Sequence, residues 1–201
     1  SYHIPGLQKP NLPGRCIVEG DYSSASFFLC MGAFSEKGIT VSGLNPSSNQ
    51  GDKQILKLLS QFGANITPCE RGITVSKGSL TGITIDASQI PDIIPPLCVV
   101  AAAAQGETVL RGAAREPEIS DLAAFLNRCG GCVQGAGTST IRVQGRRMLY
   151  SCSFAPMADR IVASTLACAC AAAGGRVELT GCRPETYAPL LEILAQMGCR
   201  I

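Results

Sequence analysis

The sequence contains no Trp and a single His, His3, and only 16% of its 201 residues are charged. It has no run of basic residues, and its net charge is +2. A nucleic-acid tract or a polybasic membrane patch needs clustered Lys and Arg, so neither is expected. Long apolar runs are also missing. The longest, LCVVAAAA (97–104) and STLACACAAAGG (164–175), fall short of the roughly 20 residues a membrane span requires. The opening residues, SYHIPGLQKP, are polar and contain Pro, and they predict no secretory signal.

Cysteine, by contrast, is abundant. There are 11, an odd number, and Cys30, Cys98, Cys168 and Cys170 lie within apolar runs. A free Cys behaves as a small buried hydrophobe, so this usage predicts a reducing, cytoplasmic setting rather than a disulfide scaffold. CGGC (129–132) has C-x-x-C spacing, but no second pair or His lies nearby, and it closes a helix rather than opening one. No metal is expected, and no cofactor.

The strongest signal is self-similarity. LLSQFGANI (58–66), FLNRCGGCV (125–133) and ILAQMGCRI (193–201) each read as a helix end, a Gly cap and the start of a strand. Upstream of each lies a short β run: GITVSG (38–43), GETVLRG (106–112) and GRVELTG (175–181). Upstream again comes a small-residue helix led by an acid, at Asp21, Asp92 and Asp159. The pattern predicts an α/β fold in a single domain over 1–201. It consists of three βαβαββ-type repeats around a pseudo-threefold axis, with the small-residue helices central. The repeats run approximately over 16–83, 84–150 and 151–201, the last completed by a strand at 2–8. Three helix N-termini at one pole would attract anions.

These residues resemble the enolpyruvyl transferases, which move the enolpyruvyl group of phosphoenolpyruvate to a substrate hydroxyl. VEGDYSSASFFL, NQGD (49–52) and IDASQIPDIIPPLCVVAAAAQGETVLR, within residues 3 to about 110, resemble the C-terminal domain of the EPSP synthase branch. AAREPEISDLAAFL, GAGTSTIRVQG and ADRIVASTLACACAAAGG, within about 112–201, resemble the UDP-N-acetylglucosamine branch. The resemblance implies phosphoenolpyruvate and an anionic, hydroxyl-bearing acceptor as partners. In the first branch the acceptor is shikimate 3-phosphate, in the second UDP-N-acetylglucosamine. A non-catalytic or engineered hybrid domain is a third reading.

The resemblance also implies site residues. Asp92 corresponds to an aspartate that contacts the acceptor hydroxyl and accepts its proton, a task that suits a carboxylate whose pKa burial has raised. An N-cap is the plain alternative. Asp21 corresponds to an aspartate near the interdomain cleft, again with capping as its alternative. Asp159 and Arg160 match an Asp-Arg pair of the UDP-N-acetylglucosamine branch and, with its Asn and His missing here, the Asn-Asp-His-Arg stretch of the EPSP synthase branch whose Arg holds phosphoenolpyruvate. A guanidinium suits bidentate binding of carboxylate or phosphate, with an exposed, solvated Arg as the alternative. Arg115, Glu116 and Glu118 match a segment near the nucleotide-sugar site, although Glu116 and Glu118 can equally start a helix with Pro117 in its first turn. Ile119 stands where the shikimate branch carries Lys, which weighs against shikimate-phosphate turnover. In the family, chemistry takes place between two closing domains. The second domain's Lys, loop Cys and Ser-Ser-Gln phosphate site have no counterpart here, so this stretch is expected to need that domain as a partner.

Overall fold

In a computed structural model, residues 14, 15, 17–146 and 148–201 are described. Two successive units share an α-β-α-β-β order, which a further strand precedes in the second. The first runs α1 (Tyr22–Gly32), β1 (Ile39–Val41), α2 (Gln54–Phe62), β2 (Asn65–Cys69) and β3 (Gly72–Ser76). The second runs β4 (Thr84–Asp86), α3 (Ile94–Ala103), β5 (Glu107–Arg111), α4 (Pro117–Arg128), β6 (Cys132–Gln134) and β7 (Thr140–Gln144). The first sheet has the order β1-β3-β2, and the second has β4-β5-β7-β6. Within each, the hairpin's second strand pairs antiparallel with the preceding crossover strand, so Val75 faces Ile39 and Ile141 faces Leu110. β4 adds a parallel edge against β5, placing Ile85 beside Leu110.

The helices bury what the sheets leave uncovered. In α3, IPPLCVVAAA carries no charged side chain, and most of its residues are buried, as expected of a helix that is apolar all round. Leu97 and Val100 of α3, Tyr22 and Leu29 of α1, and Phe62 of α2 are all fully buried. The Ala and Ser positions of α1 and α3 let these helices pack on each other.

Gly63 closes α2 in the left-handed region (φ 103°). A Cβ there would sit 2.4 Å from the Ser79 carbonyl oxygen. Both strain and contact oppose any side chain. Gly63→Ala is expected to destabilise the protein by about 1–3 kcal/mol, read as a lower urea midpoint at an unchanged denaturant slope.

The third unit departs from the expected repeat. It contributes α5 (Arg160–Ala173) and α6 (Ala188–Gln196), but no strand forms over 175–181 or at 198–201. A strand exists only where its backbone finds a partner, and the expected partner at 2–8 lies outside the described residues. Among the described residues α5 covers no sheet and packs with α6 rather than with the central pair. Only Ala163 of that helix is buried, while Ile161, Val162 and Leu166 are 58%, 54% and 47% exposed. The centre among the described residues is therefore a pair of small-residue helices rather than the trio the sequence predicts.

Candidate functional site

Near the N-terminal ends of α3, α4 and α5 lies a cleft of about 900 Å³. It gathers five of the seven residues singled out from sequence: Asp92, Glu116, Glu118, Asp159 and Arg160. Asp21 and Arg115 do not line it.

Each position has a local cause. Pro91 starts a 3-10 turn, Pro91–Ile93, that leads into α3, and Asp92 sits within it. The Asp92 side chain caps nothing there and is exposed, so the capping alternative does not describe it. Glu116 takes the N-cap position of α4 without a side-chain cap bond, with Pro117 at the first helical position. Asp159 is a true N-cap, accepting from the backbone N–H of Ile161 (2.8 Å) and Val162 (3.0 Å).

Asp21 also caps. It accepts from the Ser24 hydroxyl (2.6 Å) and from the N–H groups of Ser24 (3.0 Å) and Ser23 (3.2 Å). The Ser24 hydroxyl first, and these N–H groups with it, hold the Asp21 carboxyl below its ordinary range. A lowered folded-state pKa contributes stability that is present above the unfolded value and lost as pH falls through the folded one. The Tm gap between the native protein and Asp21→Ala is therefore expected to shrink below about pH 4.

The electrostatics of the cleft differ from the expected anion-attracting pole. Five carboxylates line it (Asp92, Glu116, Glu118, Asp121, Asp159) against one cation, Arg160. That guanidinium is already engaged, donating from Nε to Glu118 Oε1 at 2.8 Å and from NH2 to Oε2 at 3.3 Å. Like charge raises the cost of bringing in a phosphate, and this excess outweighs the partial charges of the helix ends. The carboxylates are spread around the cleft, and among the described residues no three His, Cys, Asp or Glu side chains converge to hold a metal ion.

Sequence reasoning missed the floor. Ile119, Leu122, Phe125, Phe154 and Met157 give the cleft an apolar base, with the Phe125 and Phe154 rings edge to face at 5.5 Å. Asp121 accepts from the Met157 N–H at 3.1 Å. Spacing held the signal for part of this set. Glu118, Asp121, Leu122 and Phe125 recur at helical intervals on one face of α4. The extended segment before α5 has no such period.

The profile of the EPSP synthase (3-phosphoshikimate 1-carboxyvinyltransferase) family matches residues 1–115 and 101–201 in two overlapping stretches. UDP-N-acetylglucosamine 1-carboxyvinyltransferase of Trichlorobacter lovleyi is 42% identical over 152 residues, covering 74% of this chain and 36% of that protein. The 3-phosphoshikimate 1-carboxyvinyltransferase of Methanoregula boonei is 46% identical over 97 residues, covering 48% of this chain and 23% of that protein. Among solved structures, EPSP synthase from Acinetobacter baumannii superposes with a TM-score of 0.52 at 30% identity, over 64% of this chain and 33% of that one. The chain thus spans no more than 36% of the length of these relatives. With both stretches of the family profile matched and a solved relative sharing its architecture, the chain belongs to the EPSP synthase family of enolpyruvyl transferases.

Proposed function

We propose that this chain supplies the acceptor side of an enolpyruvyl transfer site and needs a second domain to complete it. Phosphoenolpyruvate is the donor. The acceptor is a hydroxyl held in the cleft beside Asp92, the group proposed to take the hydroxyl proton as its oxygen bonds to the enolpyruvyl carbon. The observation that carries this reading is the convergence of Asp92, Glu116, Glu118, Asp159 and Arg160, drawn from three separate elements, on one cleft. The excess of carboxylate there explains the need for a partner. Phosphate-bearing substrates require cations, and Arg160 is bound to Glu118. A closing domain that brings Lys or Arg would supply them and expel water from around Asp92.

Two acceptors follow from the two branches. Shikimate 3-phosphate is supported by the Asp92-bearing half of the chain and by the family profile. UDP-N-acetylglucosamine is favoured by the cleft itself. An acidic rim over an apolar floor suits a neutral sugar hydroxyl whose phosphates lie elsewhere, and suits a small dianion poorly. The free thiols fit a reducing compartment, which we take to be the cytoplasm.

Steady-state phosphate release from phosphoenolpyruvate, with the chain complemented by an N-terminal enolpyruvyl transferase domain, separates these acceptors. Release dependent on one acceptor and absent with the other assigns it. Absence with both, at verified association of the two domains, contradicts the proposed function. In the same assay Arg160→Gln, which leaves Glu118 without its paired cation, is expected to raise the KM for the anionic substrates about tenfold through the added negative charge in the cleft.

A further inference from the structure

The segment between β7 and α5 contains no regular element from Met148 to Asp159, yet it is tied along the whole of one face of α4. Arg160 bonds Glu118, and the Met157 N–H bonds Asp121. Phe154 packs edge to face on Phe125. The Tyr150 N–H donates to the Cys129 carbonyl at 2.7 Å. Positions 118, 121 and 125 of α4 and its C-cap residue, Cys129, lie three or four residues apart and therefore on one face. The segment is a strap, and its inner side chains form part of the cleft wall.

At the far end of this strap two thiols meet. Cys129 Sγ and Cys152 Sγ are 3.3 Å apart. Cys129 is buried and Cys152 is partly exposed. Cys132, the partner that C-x-x-C spacing would nominate for Cys129, makes no such contact among the described residues; the thiol in contact with Cys129 comes from the strap.

We propose that Cys129 and Cys152 are a redox-responsive thiol pair, closed to a disulfide by a low-molecular-weight disulfide such as oxidised glutathione. Cys152 is the entry thiol, because it is the one solvent can reach. Its thiolate attacks one glutathione sulfur, forming a mixed disulfide and releasing one glutathione thiolate. Cys129 then loses its proton to solvent and attacks the Cys152 sulfur, releasing the second glutathione. Two protein thiols are oxidised to one disulfide, and one glutathione disulfide is reduced to two thiols. The hydrogen bond between the thiols, and burial with it, push the Cys129 thiol up, which keeps it neutral until the mixed disulfide forms. The sulfurs need to close only to the roughly 2.0 Å of a disulfide. Closure staples the strap to the C-terminal end of α4 and restricts the wall carrying Phe154 and Met157. On the functional reading above, that restriction acts on acceptor entry; the disulfide itself does not depend on that reading.

The test uses the full chain in glutathione buffers of increasing oxidised fraction, acid-quenched, alkylated and peptide-mapped without reduction. The expected main product is a peptide joining Cys129 to Cys152, with the intact protein lighter by two hydrogens. Cys152→Ser, which removes the entry thiol, should lower glutathionylation of the 129–152 region at least about tenfold, and Cys132→Ser should leave the Cys129–Cys152 product in place. In the native protein, oxidation should slow backbone amide exchange over 148–158 by about tenfold. A dominant Cys129–Cys132 linkage, a Cys152 that stops as the mixed disulfide, or unchanged exchange in the cross-linked protein would each overturn the proposal. No substrate enters the measurement, so its failure is distinct from failure of the proposed function.

Discussion

Asp92→Asn is expected to cut phosphate release from phosphoenolpyruvate by about 100-fold or more in the chain complemented with an N-terminal domain, with KM for the acceptor changed far less. Asn keeps the size of Asp and one acceptor oxygen but cannot take up a proton, so the loss falls on the chemical step. The local structure favours this assignment over a capping role. The Asp92 side chain makes no cap bond to α3, and it lies in the turn that opens onto the cleft. Asp159 offers the contrast. Its carboxylate is committed to the N–H groups of Ile161 and Val162, so Asp159→Asn, which retains an acceptor for both, should leave the rate within a few-fold. Equal losses in the two variants would show that a carboxylate is needed for the field of the cleft and not at one reacting hydroxyl.

Leu97→Ala carries the largest expected stability loss, about 2–5 kcal/mol, from the lost transfer free energy and the cavity left behind. Leu97 is fully buried in a helix with no polar face to turn outward. Against a typical total of about 5–15 kcal/mol, this is enough to leave part of the protein unfolded. Leu166→Ala in α5 is the control. Leu166 is 47% exposed, and its replacement is expected to stay within about 0.5 kcal/mol. Urea unfolding of the two variants reads the difference directly. A loss for Leu166→Ala as large as that for Leu97→Ala would place α5 in the core beside α1 and α3, as the repeat pattern alone predicts.

The first two units were legible in the sequence because each of their signals is local. The β runs over 38–43 and 106–112 both contain strands. The Gly at 63, 130 and 198 all adopt positive φ at or just after a helix end. The third repeat is not confirmed: its β run, GRVELTG, has the right pattern but forms no strand among the described residues, and its expected partner at 2–8 lies outside them; pairing is a tertiary event that pattern cannot supply. The site was partly legible for the same reason. The acids that begin helices stand at the heads of the helical segments α3, α4 and α5. The strap residues Phe154 and Met157 do not, since they reach the cleft through an extended segment without a period. The sign of the cleft was also misjudged. Helix N-termini suggested attraction for anions, but the carboxylates that accompany those ends outnumber the single, already paired Arg160.

The central claim is that this chain holds the acceptor and its base but lacks the cations that complete an enolpyruvyl transfer site. The most direct test is phosphate release from phosphoenolpyruvate with acceptor present, measured for the chain alone and again after an N-terminal enolpyruvyl transferase domain is added. No release above the uncatalysed rate from the chain alone, and acceptor-dependent release on complementation, is the predicted result. Acceptor-dependent turnover by the chain alone would contradict the account, because the carboxylate-rich cleft described above would then have handled phosphate without a second domain.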